Sequence, residues 1–316
     1  MSRLPVYVLI TPARNEAAFI EQTIQSVVAQ TARPAKWVIV SDGSTDETDA
    51  IVLNYAAQHD WIELVRMPER KERHFAGKVL AFNAGYARVQ SVPYELVGNL
   101  DGDLSFDEDY YSFLLAKVAA DTALGLVGTP FQENDTAPVY DYRFVSIEHV
   151  SGCCQLFRRE CFEEIGGYVP VEGGGIDHLA VTTARMKGWK TRTFTEKVCR
   201  HNRTMGTAQV SLLQARLRQG RKDYAFGYHP LWELFRCVHQ MTYKPRILGG
   251  LALLYGYLRA LLRGEKRPIS DELMAFQRRE QMQRLKKFFG LGRIFPGKEA
   301  ALRQPADCAS LKSANR

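Results

Sequence analysis

The sequence lacks the glycine motifs that hold nucleotides through backbone N–H groups. No G-x-G-x-x-G follows the first apolar run, residues 6–11, and no G-x-x-x-x-G-K-[ST] occurs in the chain. These absences argue against a dinucleotide-binding fingerprint and against a P-loop. A nucleotide bound by this chain must therefore be held by side chains and a metal ion.

The cysteines also lack a metal-binding or disulfide pattern. None of the six belongs to a C-x-x-C pair or a zinc spacing, and the adjacent Cys153 and Cys154 would bridge badly. This usage fits a reducing cytosol best. No signal peptide precedes the first apolar run either, so we expect a cytoplasmic protein.

Apolar runs of strand length alternate with segments of helical periodicity. The runs cover residues 6–11, 37–40, 62–65 and 95–100, and the helical segments cover residues 17–30, 48–59 and 78–89. This alternation predicts a doubly wound α/β sheet. Ligands bind beyond the carboxyl ends of such strands, where the polar segments 11–16, 42–46 and 101–103 converge.

The segment Asp101-Gly102-Asp103 follows the fourth strand. Two carboxylates flank a glycine there, and such oxygen ligands suit Mg²⁺ or Mn²⁺. A bound metal ion would bridge the protein to a diphosphate and take up charge on the leaving group. The alternative is that these residues form only a solvated turn or a helix cap.

Four motifs in order resemble family 2 glycosyltransferases, which have the GT-A fold. They are T-P-A-R-N-E after strand one, V-S-D-G-S-T-D after strand two, G-K-x-x-A-x-N-x-G before strand four, and D-G-D. The resemblance covers about residues 5–200. It implies an inverting, metal-dependent transfer from a nucleoside diphosphate sugar, with a UDP-sugar favoured and Mn²⁺ or Mg²⁺ as cofactor.

The resemblance also implies a donor site. Asp42 would accept a hydrogen bond from the base, Lys78 would lie near the base or phosphates, and Asp103 would be a more direct metal ligand than Asp101. The residues implied to bind the nucleotide are Thr11, Pro12, Asn15, Glu16, Asp42, Ser44, Lys78 and Asp101, and those implied to bind the metal are Asp101, Asp103 and His201.

The segment E-G-G-G-I-D-H, residues 172–178, resembles the acceptor side of the same family. Asp177 matches the general base, which must take the proton of an acceptor hydroxyl as that hydroxyl attacks. The family usually has a glutamate where this chain has Ile176, which puts an acceptor contact in doubt. Glu172 or His178 could replace that contact.

Several of these residues also have simpler structural interpretations. Asp177 could cap the following helix, and Thr45 or Asp46 could cap the helix after the second strand. Glu16 could be an acidic residue in the first turn of a helix, and Lys78 could be a solvated helix lysine.

The basic residues are concentrated towards the C-terminus. The net charge is +7, and residues 259–298 carry a cation excess of that size, so the body is near neutral. Residues 247–262 would span about 24 Å as a helix, short of the roughly 30 Å hydrocarbon core, which argues against a full membrane span. An interfacial or re-entrant helix and a buried packing helix are the two remaining interpretations. The following basic amphipathic helix could lie on an anionic membrane or pack on the domain.

These patterns predict a glycosyltransferase domain over residues 1–230, a helical amphipathic basic extension over 231–297 and a disordered tail over 298–316. The expected acceptor is a glycan or polyprenyl-linked sugar at the inner face of the cell membrane. No nucleic-acid-binding motif is present. Alternatives are a sugar-nucleotide-forming nucleotidyltransferase, which would need a glycine-rich basic first loop, and a non-catalytic scaffold that binds nucleotide sugars.

Overall fold

Seven strands form the central sheet in a computed structural model that describes residues 3–69, 75–133, 146–171, 174–203 and 211–290. They are β1 (Tyr7–Ala13), β2 (Lys36–Asp42), β3 (Ile62–Met67), β4 (Leu96–Leu100), β6 (Leu124–Gly128), β8 (Cys154–Arg158) and β9 (Lys190–Thr193). Their order is β3-β2-β1-β4-β8-β6-β9. The first four strands are mutually parallel, and β8 runs antiparallel to both β4 and β6.

The central strand β1 is buried on both faces, as its continuous apolar sequence predicts. Tyr7 and Leu9 belong to the apolar cluster on one face of the sheet, whereas Val8 and Ile10 belong to the cluster on the other. Side chains alternate between the faces of a strand, so a strand covered on both sides needs apolar residues throughout.

A second, three-stranded sheet lies beside the first. It contains β5 (Leu104–Ser105), β7 (Phe131–Glu133) and β10 (Cys199–His201), in the order β5-β10-β7. Polar residues dominate 132–142, which predicts an irregular loop there, but residues 131–133 instead pair with β10. Residues 134–142 lie outside the described part of the chain. Strands of two or three residues are too short to show a period-2 pattern.

The helices of the first two thirds flank the central sheet. They are α1 (Ile20–Val28), α2 (Thr48–Ala56), α3 (Phe75–Val89), α4 (Tyr110–Ala120), α5 (Arg159–Glu164) and α6 (Ile176–Met186). Helix α1 begins three residues later than its periodicity predicted. Asn15 has a left-handed backbone with φ of 55°, and the amides of Phe19 and Ile20 both donate to the Glu16 carbonyl in a turn.

Four helices follow: α7 (Leu212–Ala225), α8 (Pro230–Gln240), α9 (Ile247–Leu262) and α10 (Asp271–Phe288). Helices α7 and α9 approach closely, because a Cβ at Gly220 would overlap the Leu253 carbonyl and one at Gly256 the Leu217 carbonyl. Helix α10 packs on α6 through an ion pair between Arg185 and Glu280.

Within the described ranges, none of the helices is long and apolar enough to cross a membrane. Five cysteines in those ranges are buried and free, in agreement with the absence of disulfide spacing in the sequence.

Candidate active site

The loops after β1 and β2 are tied together by two of the predicted nucleotide-binding residues. The Asn15 amide donates to Ser44 Oγ at 3.1 Å, and the Thr45 amide donates to Asn15 Oδ1 at 2.8 Å. The left-handed backbone of Asn15 suits asparagine, which tolerates positive φ better than most residues. Asn15 and Ser44 therefore fix the relative position of the two loops.

Asp46 links the same loops and contacts Thr48, the first residue of α2. Its carboxylate accepts from the Thr48 amide at 3.1 Å and from the Ala17 amide at 3.0 Å. Burial alone would raise the pKa of Asp46, but a hydrogen bond from the Thr48 hydroxyl, together with these amide hydrogen bonds, lowers it below its ordinary value. The interpretation of Asp46 as the N-cap of α2 is wrong, because Glu47 holds that position and makes no side-chain cap hydrogen bond. The placement of Glu16 in the first helical turn is wrong, because α1 begins at Ile20.

Thr11, Pro12 and Asp42 lie at the carboxyl ends of adjacent parallel strands. The Thr11 side chain is fully buried, and its hydroxyl accepts from Trp37 Nε1 at 2.9 Å. No part of Thr11 is exposed, so it supports the start of the first loop from within the sheet. Pro12 is half-buried opposite Val40, and the buried Asp42 is the last residue of β2.

Lys78 and Asp101 form an ion pair at the end of β4, with 2.5 Å between Nζ and Oδ1. Burial raises the pKa of Asp101, and the nearby Asp103 adds to this effect against the opposing effect of Lys78. Burial would lower the pKa of Lys78, but Asp101, together with the more remote charge of Asp177, holds it above its ordinary value. Lys78 is therefore no freely solvated helix lysine.

Gly102 lets the turn between the two aspartates approach the first loop. A Cβ at this position would lie 3.1 Å from Ile20 Cδ1 and 3.5 Å from Glu16 Cγ. The segment 101–103 therefore packs against the loop after β1, as the parallel strand order predicts.

Asp103 contacts His201 in β10, a strand that the sequence did not predict, and Arg203 just after it. Its Oδ2 lies 3.4 Å from Arg203 Nε, and the Arg203 guanidinium also pairs with the Glu16 carboxylate. Arg203 thus bridges the first loop and the D-G-D turn, with its guanidinium 5.1 Å from the ring centre of Phe19.

The second oxygen of Asp103 provides a test of whether these residues could bind a metal ion. Oδ1 is buried, has no hydrogen-bond partner among the described residues, and lies 3.6 Å from His201 Nε2. His201 Nδ1 contacts the Arg203 carbonyl at 2.5 Å and must donate to it, because a carbonyl only accepts. In the neutral ring, Nε2 then presents a lone pair to Oδ1.

Two electron-pair donors that face each other fit a shared cation. Ligands about 2.1 Å from one ion can be at most about 4.2 Å apart, and the observed separation is within that limit. A ligating histidine commonly donates its other N–H to a carbonyl, as His201 does. Within the described ranges, no group of three or more His, Cys, Asp or Glu residues could hold a metal. Such a site would thus need phosphate or water ligands as well.

Asp177 is the second residue of α6 and packs against Gly152. The cap of α6 is Gly175, with φ of 96°, so the interpretation of Asp177 as the N-cap is wrong. A Cβ on Gly152 would lie 2.7 Å from Asp177 Cβ and 3.1 Å from its Oδ2. Glu172 lies outside the described residues. His178 instead contacts Gln277 Oε1 on α10 at 3.2 Å.

Asn99 and Gly152 are parts of the site that the sequence pattern did not predict. Asn99 Nδ2 donates to the Gly152 carbonyl at 2.7 Å, and the Asp101 amide donates to the Cys153 carbonyl at 2.9 Å. These bonds hold the segment that contacts Asp177 beside the D-G-D turn. The available signal was an amide side chain within the otherwise apolar strand LVGNL.

The sequence matches the family model described as Glycosyl transferase family 2 over residues 8–166, half of the chain. A poly-beta-1,6-N-acetyl-D-glucosamine synthase of Staphylococcus aureus (strain COL) is 27% identical over 140 residues. That alignment covers 44% of this chain and 32% of the relative. The chain thus matches about a third of the length of this relative. A protein of the same name from Staphylococcus epidermidis is 26% identical over the same extent.

Solved structures of glycosyltransferases share the fold. A mannosyltransferase from Pyrobaculum calidifontis, in complex with GDP-Man and Mn²⁺, has a TM-score of 0.56 and 21% identity. The alignment covers 93% of this chain and 82% of that one. GalNAc-T7 with UDP, GalNAc and Mn²⁺ has a TM-score of 0.58 and 14% identity, covering 93% and 58%. At these identities the likeness establishes the fold alone, and it confirms the predicted GT-A class.

Proposed function

The chain belongs to glycosyl transferase family 2, and from this membership we propose that it transfers a sugar from a nucleoside diphosphate sugar to an acceptor hydroxyl with inversion. The observation that carries the proposal is the location of Asp103 and Asp177. The hydrogen bonds of Asn99 and Asp101 join the strand that leads to Asp103 to residues 152 and 153, and Asp177 packs against Gly152. One carboxylate would serve the leaving group and the other the incoming hydroxyl.

The donor would bind across the carboxyl ends of β1, β2 and β4. Asp42 would accept from the base, and Asn15 and Ser44 would hold the loops that line the pocket. The pairing of Lys78 with Asp101 keeps a cation beside the segment at which the diphosphate would bind. A UDP-sugar is the favoured donor.

Asp103 and His201 are the residues that we expect to hold Mn²⁺ or Mg²⁺. A divalent cation would supply charge stabilisation to the departing diphosphate. Asp101 would stand beside it and contact the ribose or diphosphate. Arg203, already aimed at Asp103, would pair with a phosphate oxygen.

Asp177 would act as the general base. An acceptor hydroxyl has a pKa far above 7, so a carboxylate must take its proton while its oxygen attacks the anomeric carbon. The new C–O bond forms as the bond to the diphosphate breaks, and the electron pair leaves with the diphosphate. A single displacement of this kind inverts the sugar carbon.

The acceptor would be a glycan or polyprenyl-linked sugar at a membrane surface. Helices α8 and α9 leave large apolar side chains exposed, among them Leu231 (55% exposed), Ile247 (63%) and Leu262 (86%). The exposed cations Lys244, Arg246 and Arg263 neighbour the ends of α9. Apolar side chains flanked by cations suit the interface of an anionic bilayer. We propose the inner face of the cell membrane as this surface.

A thermal-shift screen of UDP-, GDP- and TDP-sugars, each with and without Mn²⁺, tests the donor proposal. Ligand at 100 times its Kd stabilises a protein by about 2.7 kcal/mol, so a true donor should raise the Tm clearly. The stabilising donor should then yield nucleoside diphosphate when acceptor is added. If none of these sugars raises the Tm, the proposed activity is wrong.

Flotation tests the membrane proposal. The protein should float with vesicles of phosphatidylcholine and phosphatidylglycerol at low salt, and less with phosphatidylcholine alone. A protein that stays with neither vesicle type would contradict a membrane-associated acceptor.

A further inference from the structure

A cavity of about 460 Å³ lies beside Asp177, on the side formed by the C-terminal helices. Its volume is within the range of small-molecule sites. Besides Asp177, its charged lining is mostly cationic, with five basic side chains: Arg185, Arg216, Lys222, Arg236 and Arg284.

Three of these cations already have carboxylate partners. Arg185 donates to both oxygens of Glu280 at 2.8 Å, which neutralises it. Arg236 Nη1 lies 2.5 Å from the fully buried Asp223, and Arg284 lies 3.7 Å from Glu148. None of the three leaves a full uncompensated charge in the cavity.

Arg216 and Lys222 differ from them. Both are half-buried on α7, and within the described ranges neither makes an ion pair with a carboxylate at 4.0 Å or less. Burial and the charge of Arg236 lower the pKa of Arg216. Lys222 adds to the field at Asp223, but Asp223 is already paired with Arg236.

The remaining acid near this cluster contributes little negative charge. Burial and the neighbouring Asp223 raise the pKa of Glu233 to about 8, so this group is mostly protonated at neutral pH. The cavity wall on α7 and α8 therefore keeps a positive potential. An uncompensated cation in a partly buried site favours an anionic ligand.

Lys222 lies close to the start of α6, which carries Asp177. A Cβ on Gly175 would be 3.5 Å from Lys222 Cε, and Gly175 precedes Asp177 by two residues. The ring of Phe226 forms the wall between them, since the same Cβ would lie 2.6 Å from its Cζ. Arg216, Lys222 and the proposed base Asp177 thus line the same cavity.

We propose that the acceptor carries an anionic group, a phosphoryl or a carboxylate, which Arg216 and Lys222 bind while a hydroxyl of the same molecule reaches Asp177. This inference rests on the proposed function, because it names the class of acceptor for that site. A phosphoryl group could belong to a lipid carrier, and a carboxylate to an acidic glycan.

Calorimetric titration of the full chain tests the anion site without turnover. The probes are inorganic phosphate, farnesyl diphosphate and glucuronate, with farnesol and glucose as neutral controls, all in EDTA to keep metal from the donor site. The variants are Arg216→Ala, Lys222→Ala and their double, and Arg216→Lys retains the charge. Arg218→Ala is the matched control, since Arg218 is an exposed cation of the same helix outside the cavity.

We expect each alanine variant to weaken binding of the anionic probes about tenfold, and the double variant about 30-fold or more. Arg216→Lys should recover part of the affinity, and Arg218→Ala should stay within about twofold of the native chain. The proposal is overturned if the double variant binds as the native chain does, if Arg218→Ala weakens binding equally, or if the neutral probes bind as tightly.

The two proposals can fail separately. If nucleotide sugars stabilise the chain but replacing Arg216 and Lys222 does not change the affinity for the anionic probes, only the acceptor inference is wrong. If no nucleotide stabilises it while anion binding depends on both cations, the anion site stands and glycosyl transfer is wrong. Tighter binding of farnesyl diphosphate than of glucuronate indicates a lipid carrier, and the reverse order indicates an acidic glycan.

Discussion

Replacing Gly152 with alanine should reduce turnover by displacing Asp177. The added Cβ would lie 2.7 Å from Asp177 Cβ and 3.0 Å from its Cγ, whereas carbon atoms in contact are normally about 3.5 Å or more apart. One side must therefore move by about 1 Å. Gly152 is held by the hydrogen bond from Asn99, so the shift falls on Asp177 at the start of its helix.

A misplacement of about 1 Å in a reacting group can cost about 100-fold in rate, which corresponds to about 2.7 kcal/mol of barrier. We expect kcat for nucleoside diphosphate release to fall by that factor in Gly152→Ala. The Tm increase produced by the donor should be unchanged, because the atoms nearest to the added Cβ all belong to Asp177 and not to a proposed donor-binding residue.

Two further variants separate displacement of the base from general damage. Gly125→Ala introduces a comparable overlap, 2.7 Å from Cys161 Sγ, at a distance from the site, and should lower the Tm while keeping kcat within about threefold. In an Asp177→Ala background, Gly152→Ala should cost little more, since the group that it displaces is absent. The reasoning is refuted if a folded Gly152→Ala chain has the native kcat. It is also refuted if Gly152→Ala lowers kcat by a further factor of about 100 in the Asp177→Ala background.

Three further outcomes follow from the same site and from α8. Asp177→Asn should lower kcat by about 10² to 10⁴ while the donor still raises the Tm; turnover at the native rate would exclude Asp177 as the base. His201→Ala should reduce the part of the donor-induced Tm shift that requires Mn²⁺, and an undiminished shift would remove His201 from the metal site. Glu233→Gln should alter the pH dependence of stability. The pKa of Glu233 in the folded protein, about 8, lies above its ordinary value of 4.5, so the folded chain binds this proton more tightly than the unfolded chain does. The stabilisation that results is complete below pH 4.5 and is lost as pH rises towards 8. The buried His178, with a pKa lowered to about 3, makes stability rise with pH only up to its ordinary pKa of 6.5. Above pH 6.5 it therefore does not offset the loss from Glu233. Chemical unfolding at pH 6.5 and 8.0 should therefore show the native chain losing about 1.5 kcal/mol more than Glu233→Gln, and equal losses would contradict a raised pKa.

The periodicity of the first hundred residues was enough to predict the sheet and the loops that meet at its edge. Buried parallel strands require continuous apolar runs, and β1 and β4 have them. The second sheet escaped prediction because its strands of two or three residues are too short to show a periodic pattern. Helix α9 was predicted with its observed bounds, since a long apolar segment between Arg246 and Arg263 has few other interpretations.

The contacts that complete the site could not be derived from local patterns. Arg203 pairs with Glu16 across 187 residues of sequence, and Gly152, whose carbonyl accepts from Asn99, packs against Asp177. Neither glycine nor asparagine shows such a role in the sequence, because the requirement arises from a close approach between separate elements.

The sequence also does not reveal which cations are paired in the fold, and this pairing changes the class of ligand that we expect the chain to bind. Counted along the sequence, the cation excess lies in residues 259–298 and the remainder is near neutral, which directs attention to a membrane surface. In the fold, α7 presents four cations in different environments. Arg221 pairs with Glu265 and Arg218 is solvated, whereas Arg216 and Lys222 face a cavity where no described carboxylate pairs with them. Local potential depends on which charges are compensated, so a body that is neutral in sum can still hold a site for an anion beside its proposed base.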